Sequence, residues 1–70
     1  MLIHHTAIID PEAQIGKDVS IGPYSVIGAG VEVGEGTKIG SHVEIEEKSV
    51  IGKNCEIYKG ASLGGNPQIL

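Results

Sequence analysis

An aliphatic residue occupies every sixth position of the chain, without an insertion or a slip. The positions are Ile3, Ile9, Ile15, Ile21, Ile27, Val33, Ile39, Ile45, Ile51, Ile57, Leu63 and Ile69. A period of six fits neither the 3.6-residue repeat of a helix nor the simple alternation of a strand. It indicates a backbone that turns the same corner every six residues.

Each six-residue unit has the same internal pattern around its aliphatic position i. Position i−2 is mostly small or β-branched, as at Val31, whereas position i−1 is mostly polar, as at Glu32. Alternation of inward and outward side chains over three residues predicts a short strand. Position i+1 is mostly glycine, and position i+3 is rich in Asp, Asn and Gly, which tolerate positive φ. Each unit therefore predicts one short strand and one corner.

Three units close a triangular coil of eighteen residues, so residues eighteen apart should stack. The column Ile9, Ile27, Ile45 and Leu63 is purely aliphatic, and the other two columns are as well. Hexapeptide repeats of this kind are typical of parallel β-helices. The prediction is an all-β triangular solenoid of just under four coils, with residues 1–70 as a single domain.

The core predicted by this pattern is thin. The chain has no Trp or Phe and only two tyrosines, Tyr24 and Tyr58. An array of repeats that stops at residue 70 would end on an open coil, and repeat arrays need capping units. We therefore expect self-association, or a segment that belongs to a longer architecture.

The charge balance narrows the classes of partner. Nine Asp and Glu residues stand against five Lys and no Arg, which argues against nucleic acid binding. The sequence contains no apolar run that would span a membrane and no signal-peptide pattern. One cysteine excludes an internal disulfide. A cytoplasmic location is the expectation.

Three stretches resemble the bacterial hexapeptide-repeat acyltransferases: residues 3–9, 13–16 and 21–24. Residues 52–58, with Glu56-Ile57-Tyr58, together with residues 61–64 and 66–68, most resemble the UDP-N-acetylglucosamine O-acyltransferases of lipid A biosynthesis. The resemblance covers essentially the whole chain, although hexapeptide repeats themselves are common to many families.

The resemblance implies a cytoplasmic homotrimer of left-handed β-helices, in which the handedness is an exception to the right-handed crossover rule. The family moves a 3-hydroxyacyl chain from acyl carrier protein to the 3-hydroxyl group of UDP-N-acetylglucosamine. Its sites lie between subunits, and a histidine takes the hydroxyl proton as general base. No cofactor is expected.

The chain departs from this family at the residues that perform the chemistry. The family's catalytic histidine lies in later coils, beyond Leu70, so no catalytic residue is assigned here. The family also has a C-terminal helical region, absent from this chain, and a Gln-Asp-x-Lys segment that helps to hold the nucleotide sugar. Gln68 matches its glutamine, but Ile69 replaces its aspartate. Gln68 is therefore the single substrate-binding candidate, and whether the chain is an enzyme stays open, because alone it should be inactive.

The other reactive residues have simpler interpretations. His4, His5 and His42 do not match a metal-ligand spacing and are expected on the surface. Cys55 falls at an inward position and is expected in the core as a small hydrophobic residue. The glycine pairs near residues 28–36 do not complete a phosphate-binding motif, so they are interpreted as corner residues. The acidic side chains between residues 32 and 47 are interpreted as a solvated face.

An apolar surface strip is predicted where outward positions are not polar. Ile8 and Val26 are outward and eighteen residues apart, so they should stack on one face, with Pro23 and Tyr24 at the adjacent corner. Such a strip is a candidate contact between copies of the chain. Val50 lies on another face and is expected to be an isolated exposed aliphatic residue.

Three hypotheses of function follow. The first is a β-helix segment at the N-terminus of the lipid A acyltransferase. The second is a non-catalytic β-solenoid module that assembles by trimerising or by stacking end to end. The third is a hexapeptide-repeat acyltransferase that uses another acceptor.

Overall fold

Eleven two-residue strands follow one another at intervals of six residues. This computed structural model describes residues 2–64. The strands are β1 (Leu2–Ile3), β2 (Ile8–Ile9), β3 (Gln14–Ile15), β4 (Ser20–Ile21), β5 (Val26–Ile27), β6 (Glu32–Val33), β7 (Lys38–Ile39), β8 (Glu44–Ile45), β9 (Val50–Ile51), β10 (Glu56–Ile57) and β11 (Ser62–Leu63).

The strands form three parallel sheets, which are the faces of a triangular prism. Face A contains β1, β4, β7 and β10; face B contains β2, β5, β8 and β11; face C contains β3, β6 and β9. Each strand pairs with the strand eighteen residues later, as Ile9 with Ile27 and Ile27 with Ile45. The predicted eighteen-residue coil and its aliphatic columns are therefore confirmed over residues 2–64. Coils one, two and three hold three strands each, and β10 and β11 belong to coil four.

The core lies on the prism axis and is deepest in coils two and three. Side chains from positions i and i−2 both point inward. The buried aliphatic residues are Val19, Ile21, Ile27, Val31, Val33, Ile39, Val43 and Ile45. Aliphatic side chains of the first coil and of coil four are more exposed, because a coil covers them on one side only over the described residues.

The core prediction for Cys55 is wrong, because this side chain is exposed. Its backbone N–H donates to Thr37 Oγ1 at 3.1 Å, so Cys55 keeps its place above Thr37 in an inward column. What it lacks, within residues 2–64, is a further coil above it. The repeat pattern predicts the direction in which a side chain points, but not whether another coil covers it.

Two buried hydroxyl groups connect successive coils. Ser25 Oγ donates to the Gly40 carbonyl at 2.7 Å and accepts the Val43 N–H at 3.1 Å. Thr37 Oγ1 does the same two corners later, where it donates to the Gly52 carbonyl at 2.6 Å. These bonds explain how polar residues fit the axis of an aliphatic prism: buried hydroxyls are retained when they are paired.

The corners use positive φ at position i+3, as predicted for Asp18, Gly30, Gly36, Asn54 and Gly60. Three larger side chains adopt the same backbone conformation: Tyr24, His42 and Lys48. The backbone N–H at this position is used to hold the coils together, since that of His42 donates to the Pro23 carbonyl of the coil before at 2.9 Å.

Glycine is required at position i+1 for a different reason, the close approach of two successive coils. A Cβ atom at Gly22 would lie 2.7 Å from the Gly40 carbonyl carbon, and one at Gly34 would lie 2.6 Å from that of Gly52. Neither residue has positive φ. The corner interpretation of the glycines is confirmed, and stacking is what requires them.

Candidate functional surface

The chain concentrates its imidazole and phenol side chains along one edge of the prism. We call this edge corner AB; it lies between faces A and B and consists of residues 4–7, 22–25, 40–43 and 58–61. All three histidines and both tyrosines of the sequence fall in it. Corner AB is therefore the first place to look for binding or chemistry.

The first coil begins this edge with a compact hydrogen-bonded turn. His4 Nδ1 accepts the Thr6 N–H at 3.2 Å and lies 2.8 Å from Thr6 Oγ1, which in turn accepts the Tyr24 N–H at 2.9 Å. The rings of His4 and His5 stack with their centroids 4.5 Å apart. Both histidines are exposed, as predicted, and His4 stabilises the turn through its ring nitrogen.

The rings of Tyr24 and His42 lie against one another, tilted by 34°, along the same edge in the next two coils. Their ring centroids are 5.3 Å apart, and their φ angles are +60° and +54°. A left-handed conformation costs a residue with a Cβ atom about 1–2 kcal/mol. Tyr24 is nevertheless 61% exposed. Backbone strain at a bulky, exposed residue makes this position a candidate for a functional role.

Tyr58 continues the edge in coil four and interacts with an acidic neighbour. Its hydroxyl donates to Glu56 Oε1 at 2.9 Å. This hydrogen bond, and the carboxylate charge behind it, raise the pKa of Tyr58 above its ordinary value of 10.0. The phenol therefore stays protonated at neutral pH and acts as a hydrogen-bond donor.

Face B carries the predicted apolar strip beside corner AB. Ile8 pairs with Val26 across the sheet, and the two side chains are 65% and 37% exposed. Tyr24, 61% exposed, lies at the adjoining corner two residues before Val26, and we call Ile8, Val26 and Tyr24 the apolar strip. Val50 is exposed on face C, next to Glu32 of the neighbouring strand, as predicted for an isolated aliphatic residue.

Face A has a hollow on the other side of corner AB that the sequence pattern did not reveal. Its volume is about 320 Å³, and its lining is Leu2, Ile3, His4, Ser20, Ile21, Gly22 and Pro23. Leu2 is 78% exposed at the edge of this hollow. A signal was present, since Leu2 occupies an outward i−1 position that is polar in most other units.

The remaining candidates bring no reactive groups together. Residues 2–64 contain no cluster of three His, Cys, Asp or Glu side chains that could hold a metal ion. The acidic side chains of Glu32, Glu35, Glu44, Glu46 and Glu47 are exposed, which confirms the solvated-face interpretation. In the same part of the chain no helix has the length and apolarity needed to cross a membrane. The arrangement on the described residues suits binding and assembly.

Gln68, the one substrate-binding candidate, lies outside the described residues 2–64. Its role stays a prediction.

The repeated strand and corner define a class of protein, the hexapeptide-repeat β-helices. Models of the family described as "Bacterial transferase hexapeptide (six repeats)" match residues 2–34 and 12–47, and one described as "Hexapeptide repeat of succinyl-transferase" matches residues 42–67. The chain therefore belongs to the bacterial transferase hexapeptide family. No curated protein matches it.

Among solved structures, the chain is similar to UDP-N-acetylglucosamine acyltransferases. The Francisella novicida enzyme is 44% identical with a TM-score of 0.90, over 94% of this chain and 24% of that one. The Moraxella catarrhalis enzyme, LpxA, is 47% identical with a TM-score of 0.91, over 100% of this chain and 27% of that one. LpxA from Acinetobacter baumannii is 50% identical with a TM-score of 0.84, over 100% of this chain and 27% of that one.

Two facts follow from these similarities. The chain shares the left-handed parallel β-helix of these structures, as the resemblance implied. It also spans only about a quarter of their length.

Proposed function

We propose that the chain is the N-terminal β-helix segment of an acyltransferase of lipid A biosynthesis, which transfers a 3-hydroxyacyl chain from acyl carrier protein to UDP-N-acetylglucosamine. One observation carries the proposal: at 44–50% identity, nearly all of this chain superimposes on enzymes named for that acceptor. A cytoplasmic location is part of the proposal, because the acceptor is a nucleotide sugar.

The segment's role in such an enzyme is to build the assembly rather than to perform the chemistry. The hydroxyl–imidazole contact among residues 2–64, between Thr6 Oγ1 and His4 Nδ1, closes a turn in which Thr6 Oγ1 also accepts the Tyr24 N–H. His5 stacks on His4, and the His42 ring lies beside that of Tyr24. The exposed apolar strip supports self-association, and a homotrimer is the assembly we propose. Gln68 would contribute to one rim of the nucleotide-sugar site.

A chimeric enzyme tests this proposal directly. Residues 1–70 replace the matching segment of the Acinetobacter baumannii enzyme, and transfer of a 3-hydroxyacyl group to UDP-N-acetylglucosamine is measured. We expect a folded and active chimera, whereas residues 1–70 alone should transfer no acyl group. A chimera that folds and assembles but has no activity would contradict the proposal.

Within that chimera, Gln68 has a matched control in Gln14, the only other glutamine of the chain, which is exposed on face C. Gln68→Ala should raise the KM for UDP-N-acetylglucosamine about ten-fold, because a hydrogen bond to a bound substrate is lost. Gln14→Ala should leave KM unchanged. Equal values of KM for the two variants would remove Gln68 from the site.

Self-association is tested separately by the mass of residues 1–70 in solution. Ile8→Lys together with Val26→Lys should weaken the assembly, because two charges replace apolar contact area. Val50→Lys is the control, since Val50 is 72% exposed but lies on face C. A folded chain that is monomeric before any substitution would reject self-association.

A second candidate function is a non-catalytic assembly module. The aromatic side chains of corner AB and the apolar strip favour this function, since they could support self-association without any further coils. The chimera distinguishes the two candidates, because an assembly module would not restore acyl transfer. A panel of acceptors in the same assay covers the third hypothesis, an acyltransferase of this family with another acceptor.

A further inference from the structure

Three edge strands lie at one end of the prism, which we call the coil-one end and which consists of β1, β2 and β3. Each of them occupies the end of its sheet. Over the described residues 2–64, each pairs with the strand eighteen residues later and has no partner strand on its other side. An uncovered strand edge is a template for pairing with another chain.

Each of these strands presents the backbone of one residue to the open side. The N–H groups of the residues on either side of Ile9 donate to carbonyls of coil two, at 2.8 and 2.9 Å. Backbone groups of successive residues in a strand point to opposite sides, so the N–H and C=O groups of Ile9 point away from coil two. The same pattern holds for Ile3 and Ile15.

The coil-one end also exposes the first layer of the core. Ile3 is 39% exposed, and Ile9, Ile15, Ala7 and Ala13 are half-buried. These side chains pack against the core on one side, and no coil covers their other side within residues 2–64. A contact at this end would therefore bury apolar area together with backbone groups.

Two copies of this end fit one another when their strands run antiparallel, which a two-fold axis perpendicular to the prism achieves. In an antiparallel pair, two opposed residues whose N–H and C=O groups face each other exchange two hydrogen bonds. An axis through Ile9 places Ile9 opposite its own copy and Ile3 opposite Ile15 of the other copy. All three edge strands then meet a strand with matching donors and acceptors.

The slope of the coil selects this axis over the two alternatives. Height along the prism increases with residue number, by one strand spacing of about 4.8 Å for every eighteen residues. With the axis through Ile9, the residue numbers of the opposed residues have the same sum in all three pairs, so the three gaps close together. With an axis through Ile3 or Ile15, the gaps differ by about 4.8 Å, and the three strands cannot all pair.

The side chains at the corners favour the same axis. It brings His4 and His5 of corner AB near Asp10 and Glu12 of the other copy, at the corner between faces B and C. Imidazole N–H groups can donate to carboxylates. Each of the other two axes would instead bring like groups together, carboxylates at one corner or imidazoles at the other.

We propose that a second copy of this chain docks end to end on the coil-one end, around a two-fold axis through Ile9, so that the three edge strands pair antiparallel. The contact goes beyond the proposed function, because it uses the end of the prism rather than a face. It is isologous and closes at two copies. The aliphatic core then continues from one copy into the other.

Disulfide formation between copies tests this register. The axis places Ile8 opposite Asp10 of the other copy, in a non-hydrogen-bonded pair whose Cα atoms lie about 4.5 Å apart, within the range of a disulfide. In a Cys55→Ser background, Ile8→Cys chains mixed with Asp10→Cys chains should form a mixed disulfide under mild oxidation. Val26→Cys is the matched control for Ile8→Cys, since Val26 is the outward residue of the same face one coil further along. Mixed with Asp10→Cys, it should cross-link at least ten-fold more slowly.

Equal rates for the two mixtures would overturn the register. A third mixture, Ile8→Cys with Ser62→Cys, tests the alternative in which coil one of one copy stacks on coil four of another. Faster cross-linking there than between Ile8→Cys and Asp10→Cys would overturn the end-to-end dimer. Circular dichroism verifies that each variant keeps its β-helix.

Amide hydrogen exchange provides an independent measurement of the new backbone hydrogen bonds. The N–H groups of Ile3, Ile9 and Ile15 should exchange at least ten-fold more slowly at a protein concentration that supports association than in dilute solution. The N–H of Gly28, which donates to the Ile45 carbonyl within one copy at 2.9 Å, should be protected at both concentrations. Unchanged exchange at the three isoleucines in a chain that still associates would overturn the contact.

These measurements distinguish the end contact from the proposals that precede it. In the Ile8→Lys/Val26→Lys variant, loss of side-by-side association should leave a dimer of twice the length and unchanged cross-section, as measured by small-angle X-ray scattering. A folded monomer of that variant would reject the end contact and leave side-by-side association intact. Neither result depends on acyl transfer, which the chimera measures.

Discussion

Corner AB and the corner between faces C and A, which we call corner CA (residues 16–19, 34–37 and 52–55), share one backbone design but carry different side chains. At the left-handed position, corner CA has Asp18, Gly36 and Asn54, the residue types that adopt positive φ most readily. Corner AB has Tyr24 and His42 at the same position. Backbone preference explains the first set and also His42, since histidine is enriched at positive φ, but it does not explain Tyr24.

The difference separates scaffold from function within one repeat. Corner CA is composed of residues that make the turn at little conformational cost. Corner AB accepts strain at Tyr24 and leaves this aromatic ring exposed beside Ile8 and Val26. A fold that needs only a corner gains nothing from this, whereas an interface gains a rigid aromatic contact, a residue type common in binding hot spots.

The largest expected effect comes from the core that both corners share. Ile39 is 4% exposed and lies on the strand that connects corner CA to corner AB. Ile39→Asp should lower the free energy of unfolding by at least about 4 kcal/mol, because a carboxylate enters an aliphatic column. Urea denaturation followed by circular dichroism measures it. Val50→Asp, at an exposed site, should change the stability by less than about 0.5 kcal/mol; a comparable loss there would contradict the assignment of inward positions.

The next effect compares the buried hydroxyls, Ser25 at corner AB and Thr37 at corner CA. Ser25→Ala removes the acceptor of the buried Val43 N–H and should lower the free energy of unfolding by about 2 kcal/mol. Thr37→Val removes the acceptor of the Cys55 N–H, where water can replace it, and should cost about 1 kcal/mol. The reverse order, measured in the same denaturation experiment, would show that the cover over Cys55 is greater than described.

A smaller effect distinguishes the two corners by function. Tyr24→Gly should change the stability by less than about 1 kcal/mol, because relief of the left-handed strain offsets the greater entropy of the unfolded chain. It should weaken self-association about ten-fold by removing an aromatic contact. Asp18→Gly is the matched control at corner CA and should leave association unchanged. Analytical ultracentrifugation measures both, and equal effects would remove the functional distinction between the corners.

The smallest effect is the titration of Tyr58, a phenol that has no counterpart at corner CA. Because Glu56 raises its pKa in the folded state, the folded chain holds this proton more tightly than the unfolded chain does. The contribution of Tyr58 to stability is thus fully present below the ordinary value of 10.0 and is lost as the pH rises from there through the folded pKa. In a Tyr24→Phe background, the absorbance of tyrosinate reports Tyr58 alone. Glu56→Gln should lower its pKa, and an unchanged midpoint would contradict the assigned cause.

The fold could be predicted almost completely from the sequence, because one period determines it. The six-residue period predicts the aliphatic columns through Ile27 and Ile39 and the three faces. It also predicts the corner positions with positive φ, at Asp18 and Asn54. Exposure is harder to predict, since it depends on what covers a residue, and Cys55 shows this. The pattern predicts that its side chain points inward. Within residues 2–64, however, no coil lies above Cys55 to cover it.

The candidate surface could be predicted only in part. The apolar strip was visible because Ile8 and Val26 interrupt a polar series. The hollow in face A was not predicted, although Leu2 at an outward position was a signal, because a hollow depends on how residues of two coils and a corner lie together.

The core and the outer surface of the prism tolerate insertions of different lengths. Six additional residues that obey the repeat, placed after Val33, would keep every aliphatic side chain inward, so the prism would still form. They would, however, shift all later residues by one face, and Lys38, Glu44 and Val50 would exchange neighbours with respect to the strip at Ile8 and Val26. An insertion of eighteen residues preserves the core and also keeps every later residue on its own face, one coil further along the prism. Variation in length within such repeats can therefore change the partner of the molecule while leaving its shape intact.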